Sequence, residues 1–338
     1  MNIPTRRLAA HGPTVSVLGL GCMGMSDMYG PSDRAESIAT IHAALDAGVT
    51  LLDTGDFYGM GHNELLIHEA LREVPRERIQ LSVKFGALRA PDGAWSGYDS
   101  RPAAVKNFLT YSLRRLGVDY IDIYRPARLD PQVPIEDTVG TIADLIKAGY
   151  IRYAGLSEVG AATLRRAHAV HPICDLQIEY SLISRGIENE ILGTCRELGI
   201  GITAYGVLAR GLISGHWSKE RAGNSGWARV NSPRFQGENL DHNLKLVEQL
   251  REVAVSMNAS VAQVAIAWVA AQGDDILPLI GARTRVRWAE ALGALKLRVS
   301  PAQLRALSDA IAPAAVAGDR YPAALMVHLD SEKRANPR

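Results

Sequence analysis

Cysteine is scarce in this chain: Cys22, Cys174 and Cys195 are odd in number, far apart and in no metal-ligand spacing. That excludes a disulfide framework and a structural zinc, and it fits reduced thiols. An excess of either charge is also missing, with 37 Lys and Arg against 36 Asp and Glu. No global field is available to hold nucleic acid or an anionic membrane, so the expected partner is a small molecule. No window approaches the roughly 20 apolar residues of a membrane span. The opening stretch has paired arginines, Arg6 and Arg7, but His11, Pro13, Thr14 and Ser16 break any export core. The expectation is a soluble, cytoplasmic protein.

What the chain does have is alternation. Short β-branched runs recur as VSVLGLG from 15, VTLLD from 49, IQLSVKFG from 79, YIDIY from 120, YIRYAGLS from 150, DLQIEYSL from 175, GITAYGVL from 201 and DILPLIGA from 275. Between them lie stretches with helical spacing, several stopping at glycine, as at Gly48, Gly117, Gly149 and Gly199. Eight strand–helix units without a compositional break predict an α/β fold, a single (β/α)8 TIM barrel, rather than two doubly wound halves. The expected organisation is one domain over 1–338, with a core of about 15–312 and residues 313–338 as a C-terminal tail. TRRLAAHGPTVSVLG reads as a hairpin plugging the barrel bottom, and 209–240, rich in Gly and Ser, as a long loop after strand seven.

GLGCMG at 19–24 matches the dinucleotide fingerprint GxGxxG, but the next helical stretch begins about eight residues late and Asp53 comes 29 residues after Gly24. Glycines easing a turn at a barrel rim are the better reading.

In such a barrel the chemistry gathers at the C-terminal strand ends. These supply Asp53, whose buried carboxylate needs a partner, and Lys84, which can be that partner. Tyr58 lies five residues beyond Asp53. A phenol beside a lysine ammonium is expected to have its pKa lowered from about 10, which makes it a proton donor near neutrality.

In order over about 15–300, DTGDFYGMGHNE, SVKFG, DYIDIYRPARLD, GLSE, QIEYSL, AYGVLARGLISG and PLIGARTRVRWAEALGA resemble the aldo-keto reductases, the bacterial, fungal and plant reductases more than the aldose reductase branch. The resemblance implies a barrel that binds NADPH and transfers hydride to an aldehyde or ketone, with Asp53, Tyr58 and Lys84 catalytic. The family's histidine, in a pattern like YxxHRxD, falls here on Ala127. Arg125, Arg128 or a water are the expected substitutes, unless Arg128 pairs with Asp130 or Asp53. Some pyridoxal reductases are similar in carrying alanine before this arginine. By the same resemblance Ser157 and Gln177 hold the nicotinamide carboxamide, Tyr205 stacks on its ring, and Gly206 and Leu208 belong to the cofactor site. Glu158 stands where many relatives have asparagine, and Ala291 where they often have one near the adenine. Gly281 leads into a helix start bearing Arg283, Arg285 and Arg287, an expected phosphate site that favours NADPH. Met28, Tyr29, Trp95 and the 209–240 loop are expected to line the substrate mouth. A binding module with little turnover, acting as a sensor or partner, is the alternative to an enzyme.

Overall fold

The computed structural model describes residues 3–26, 29–218 and 231–333. Eight parallel strands close into a barrel in chain order: β1 (Gly19–Gly21), β2 (Leu51–Gly55), β3 (Gln80–Phe85), β4 (Ile121–Pro126), β5 (Ile151–Ser157), β6 (Ile173–Glu179), β7 (Gly201–Tyr205) and β8 (Ile276–Gly281). All eight sequence runs correspond to strands. The first divides, because Thr14–Ser16 pairs with Thr5–Arg7 in an antiparallel hairpin before β1 starts at Gly19. GLGCMG is therefore a barrel strand and the turn after it, not the strand-to-helix loop of a doubly wound fold.

Helices cover the outside, among them Arg34–Asp46, Pro102–Leu116, Ile135–Lys147 and Ala161–Val170. Gly117 shows why glycine stops them: at φ +66° it ends Pro102–Leu116, and a Cβ there would stand 2.4 Å from His68 Nδ1.

Side chains alternate across each strand, which sets out the barrel interior in layers. On β4, Tyr124 points outward and stacks on Phe85, while Ile123 packs inside. Ile123, Leu51, Cys174, Leu277 and Leu279 form an apolar floor with Leu8 and Val15 of the hairpin, and Arg6 donates to the carbonyl of Ile276 at the start of β8. The hairpin is thus the plug that the sequence suggested. Two residues above Ile123, Arg125 lies wholly inside the barrel and pairs with Asp175 at 3.0 Å. Gly155 makes room for that pair, since a Cβ there would meet Asp175 Oδ1 at 2.6 Å. Two residues above Arg125, Ala127 reaches the mouth.

One element had not been read from the sequence. Ala87–Arg89 and Trp95–Tyr98 form a hairpin after β3, turning through APDG and lying over the mouth.

Candidate active site

Asp53 from β2, Lys84 from β3 and Gln177 from β6 meet in the layer above the Arg125–Asp175 pair. Lys84 Nζ donates to Asp53 Oδ1 and, at 2.6 Å, to Gln177 Oε1. Gln177 Nε2 donates to Asp53 Oδ2 at 2.7 Å, and Ser82 Oγ donates to the same oxygen at 2.7 Å. The sequence anticipated the Asp53–Lys84 pair. Gln177 was expected at the nicotinamide, but here both ends of its amide close the Asp53–Lys84 ring. Burial lowers the Lys84 pKa to about 8, with Asp53 opposing the shift and Arg125 adding to it.

Tyr58 follows β2 in a short turn, and its ring centroid lies 5.4 Å from Lys84 Nζ. The lowered phenol pKa expected from the lysine is not found. Burial raises the Tyr58 pKa well above 10 and Asp53 raises it further, while Arg128 is the cation that opposes them. The physical reason is that the Lys84 charge is spent on Asp53 and Gln177. Tyr58 therefore keeps its proton at ordinary pH, which suits a donor.

The three strand-four candidates separate. Arg125 does not reach the mouth. Ala127 packs with Phe57, Tyr58 and Ala87, and its small side chain borders the cavity. Arg128 lines the cavity and is bonded neither to Asp53 nor to Asp130, whose carboxylate accepts from the backbone N–H groups of Ser100 and Gln132. Its guanidinium donates to the Ala127 carbonyl at 2.6 Å and approaches the Tyr321 hydroxyl at 3.5 Å.

Asp53, Tyr58, Lys84, Ala127, Arg128 and Gln177 open into one cavity of about 710 Å³. Its walls hold the other candidates. Ser157 Oγ is buried at the end of β5 with no hydrogen-bond partner among the described residues, a polar atom left for a ligand. The Tyr205 ring, Gly206 and Leu208 line the same wall. Gly206 is held at φ +67°, and a Cβ there would lie 2.9 Å from Glu179 Cγ. Beyond β8, Gly281 and Thr284 lead into the helix Arg285–Leu292, with Thr284 capping it through the Arg287 N–H.

The three arginines there do not act alike. Arg283 donates to the carbonyls of Tyr29, Gly30 and Pro31, tying that loop across the end of β8. Arg285 pairs with Glu36 away from the cavity, and Arg287 lines the cavity while paired with Glu290. These groups fit an extended dinucleotide: an orphaned hydroxyl at one end, an aromatic wall, and a capped helix start with an arginine at the other. Ala291 is buried beside that end.

Tyr29 and Trp95 line the mouth, with Trp95 edge-on to Phe57 at 5.6 Å and under the Arg89 guanidinium. Met28 lies outside the described residues, as do 219–230 of the long loop; Arg210, His216, Trp217 and Asn231 of its described parts line the cavity.

Sequence reasoning missed the C-terminal segment. Residues 313–338 were taken for a tail, yet Tyr321, Pro322, Leu325 and Leu329 line the cavity. Glu158 is the reason. At φ +54° directly after β5, its carboxylate is wholly buried and accepts from Arg320 at 2.7 Å, Ser331 Oγ at 2.6 Å and the Tyr205 hydroxyl at 2.7 Å. Burial by itself would raise its pKa; Arg320 outweighs that and holds Glu158 ionised. No periodicity in DRYPAALMVHLDSE announces this role. The only signal was the carboxylate itself, standing where relatives carry an amide.

The model of the aldo/keto reductase family matches residues 17–312. A protein from Glycine max named "Probable aldo-keto reductase 1" is 42% identical over 318 residues, covering 93% of this chain and 91% of its own length. Among solved structures, a glycerol dehydrogenase from Gluconobacter oxydans superposes with a TM-score of 0.81 at 28% identity, covering 91% of this chain and 96% of its own. An aldo-keto reductase from Bacillus halodurans in its holo form shares the fold, with a TM-score of 0.76 at 24% identity over 92% and 97% of the two chains. With a family match that spans the whole barrel and the Asp–Tyr–Lys set assembled at its mouth, this chain belongs to the aldo/keto reductase family.

Proposed function

We propose that the protein reduces an aldehyde or ketone to an alcohol with NADPH, Tyr58 serving as general acid. One observation carries the reading: the Tyr58 phenol, kept protonated by burial, faces the same cavity as the closed Asp53–Lys84–Gln177 ring and the unpartnered Ser157 hydroxyl. When bound, the reduced nicotinamide supplies the hydride. Ser157 is the group to hold its carboxamide and Tyr205 the wall against its ring, so that one face looks toward Tyr58. Arg287 and the helix start beyond β8 are the groups to hold the adenosine phosphate, the basis for preferring NADPH. Tyr58 then donates its proton to the developing alkoxide, while Asp53 and Gln177 hold the Lys84 ammonium at the face of its ring.

The test is NADPH oxidation against a panel of aldehydes, ketones and pyridoxal, with Tyr58→Phe alongside. The expected outcome is a rate about 10² to 10⁴ lower in the variant with cofactor affinity retained, the usual worth of a positioned acid. Ala127 favours a second reading, a cofactor-binding module with little turnover. Tight NADPH binding with no oxidation by any carbonyl would establish it.

A further inference from the structure

The mouth of the barrel holds a hydrogen-bonded chain whose direction is set by its ends. Arg128 has donors only, and ionised Glu158 only accepts. Between them, the Arg128 guanidinium approaches the Tyr321 hydroxyl at 3.5 Å, Tyr321 meets the Tyr205 hydroxyl at 3.1 Å, and Tyr205 meets Glu158 Oε1 at 2.7 Å. Tyr205 must therefore donate to Glu158, and Tyr321 to Tyr205. That leaves the Tyr321 oxygen as acceptor for Arg128. Only one proton arrangement satisfies every member, so the chain is ordered from the cation at the cavity to the buried carboxylate.

Tyr321 is brought there by the segment 319–332, which is latched at three points. Arg320 bridges Glu158 and Glu179, the latter at 3.2 Å; Ser331 bonds Glu158; and Asp330 accepts from Gly160 N at 2.9 Å and Thr163 Oγ1 at 2.7 Å. Arg128 forms no ion pair with any described residue. Burial disfavours its charge, and the ionised Glu158 at the far end of the hydrogen-bonded chain opposes that, so the guanidinium stays cationic. It borders the space beside Ala127, and it is the cation felt by the Tyr58 phenol.

We infer that Arg128 is the second electrophile of the site, donating to the carbonyl oxygen where an imidazole at 127 would otherwise stand, and that Tyr321 positions it from the latched C-terminal segment. The inference rests on the proposed carbonyl reduction and adds to it that residues 319–332 are part of the catalytic apparatus. The glutamate after β5 thus anchors the segment that aims the guanidinium. Arg128 contributes a hydrogen bond and positive charge as the oxygen becomes an alkoxide, while the proton itself still comes from Tyr58.

The experiment compares the wild-type protein with Arg128→Met, Arg128→Lys, Tyr321→Phe and the pairs Arg128→Met/Ala127→His and Tyr321→Phe/Ala127→His. Single-turnover hydride transfer and steady-state kcat and KM are followed, and NADPH affinity is measured by quenching of protein fluorescence. Loss of an oxyanion donor lowers rates by about 10² to 10³, so Arg128→Met should fall about that far, with NADPH affinity within about threefold of wild type. Tyr321→Phe should lose about tenfold in kcat with KM little moved, and Ala127→His should return about tenfold in either background. Rescue of Tyr321→Phe by a donor 194 residues away in the chain is not expected of a merely structural role. If Arg128→Met fails to bind NADPH, Arg128→Lys and Tyr321→Phe decide, and wild-type rates in both would overturn the inference. Wild-type turnover that depends on Tyr58 but not on Arg128 or Tyr321 overturns it alone; no turnover in the wild-type protein overturns the reduction and the inference together.

Discussion

Replacing Asp53 by Asn tests the electrostatics of the site without touching its shape. Asp53 is 2% exposed and accepts from Lys84, Gln177 and Ser82. Lys84, also buried, has its pKa lowered from 10.5 to about 8, primarily by burial. That displacement corresponds to about 3 kcal/mol against the ammonium in the folded state, what remains after Asp53 has offset part of the burial cost. With the carboxylate neutralised, the remaining cation is buried without its partner, and removing one member of a buried pair typically costs about 3 to 5 kcal/mol. The sign of the pH dependence follows from linkage. A lysine whose folded pKa lies below its unfolded value destabilises the fold fully below the folded pKa, and the penalty lifts as pH rises toward 10.5. In the wild-type protein that rise should begin near pH 8. In Asp53→Asn it should begin lower, near or below neutrality, so the two stabilities converge as pH increases. Urea denaturation followed by circular dichroism at pH 6, 7, 8 and 9 measures this directly. Equal midpoints at pH 6, or a difference that does not change with pH, would refute the account of Lys84 as a cation held in place by Asp53.

Two further outcomes follow from buried charges elsewhere. A Cβ on residue 155 would stand 2.6 Å from Asp175 Oδ1 and 3.0 Å from Arg125 Nε, so Gly155→Ala must spread the Arg125–Asp175 pair and should destabilise the fold by about 2 to 5 kcal/mol in the same denaturation assay. Asp56, beside Glu64 just before Tyr58, has its pKa raised to about 7 by burial first and by Glu64 second. Because the fold prefers its protonated form, the stability it contributes is present below its unfolded pKa of 3.8 and lost as pH rises through about 7. Asp56→Asn should therefore stabilise the fold more at pH 8 than at pH 5, by about 4 kcal/mol at the higher pH, read as a larger rise in melting temperature there.

The barrel was legible because its strands and helices each carry a local signature. Runs such as YIDIY and DLQIEYSL have the composition of strands buried on both faces, and helix ends such as Gly117 are marked by the left-handed conformation that glycine accepts. Asp53 and Lys84 were legible as a pair because two opposite charges in adjacent buried strands have few ways to be satisfied. The two arginines around Pro126 and Ala127 were visible in the sequence, but not their separate roles. Alternation across β4 turns Arg125 into the barrel toward Asp175 and brings Ala127 to the mouth, whereas Arg128 lies past the strand end and faces the cavity.

What the sequence determined by itself is therefore the set of elements, their order and the identity of the charged groups at the strand ends. Beyond the Asp53–Lys84 pair, tertiary structure alone decided the partners. Gln177 is 124 residues from Asp53 along the chain, and Arg320 is 162 from Glu158, yet closure of the barrel sets each beside its mate. The Tyr58 pKa went the opposite way from the local expectation for that reason: the nearest ammonium was already committed to a carboxylate and an amide supplied by other strands, and burial then dominated. Local pattern reports which residues an element will bury, but a charge acts on whatever the closed fold places within a few ångströms, and that distance is not written in sequence spacing.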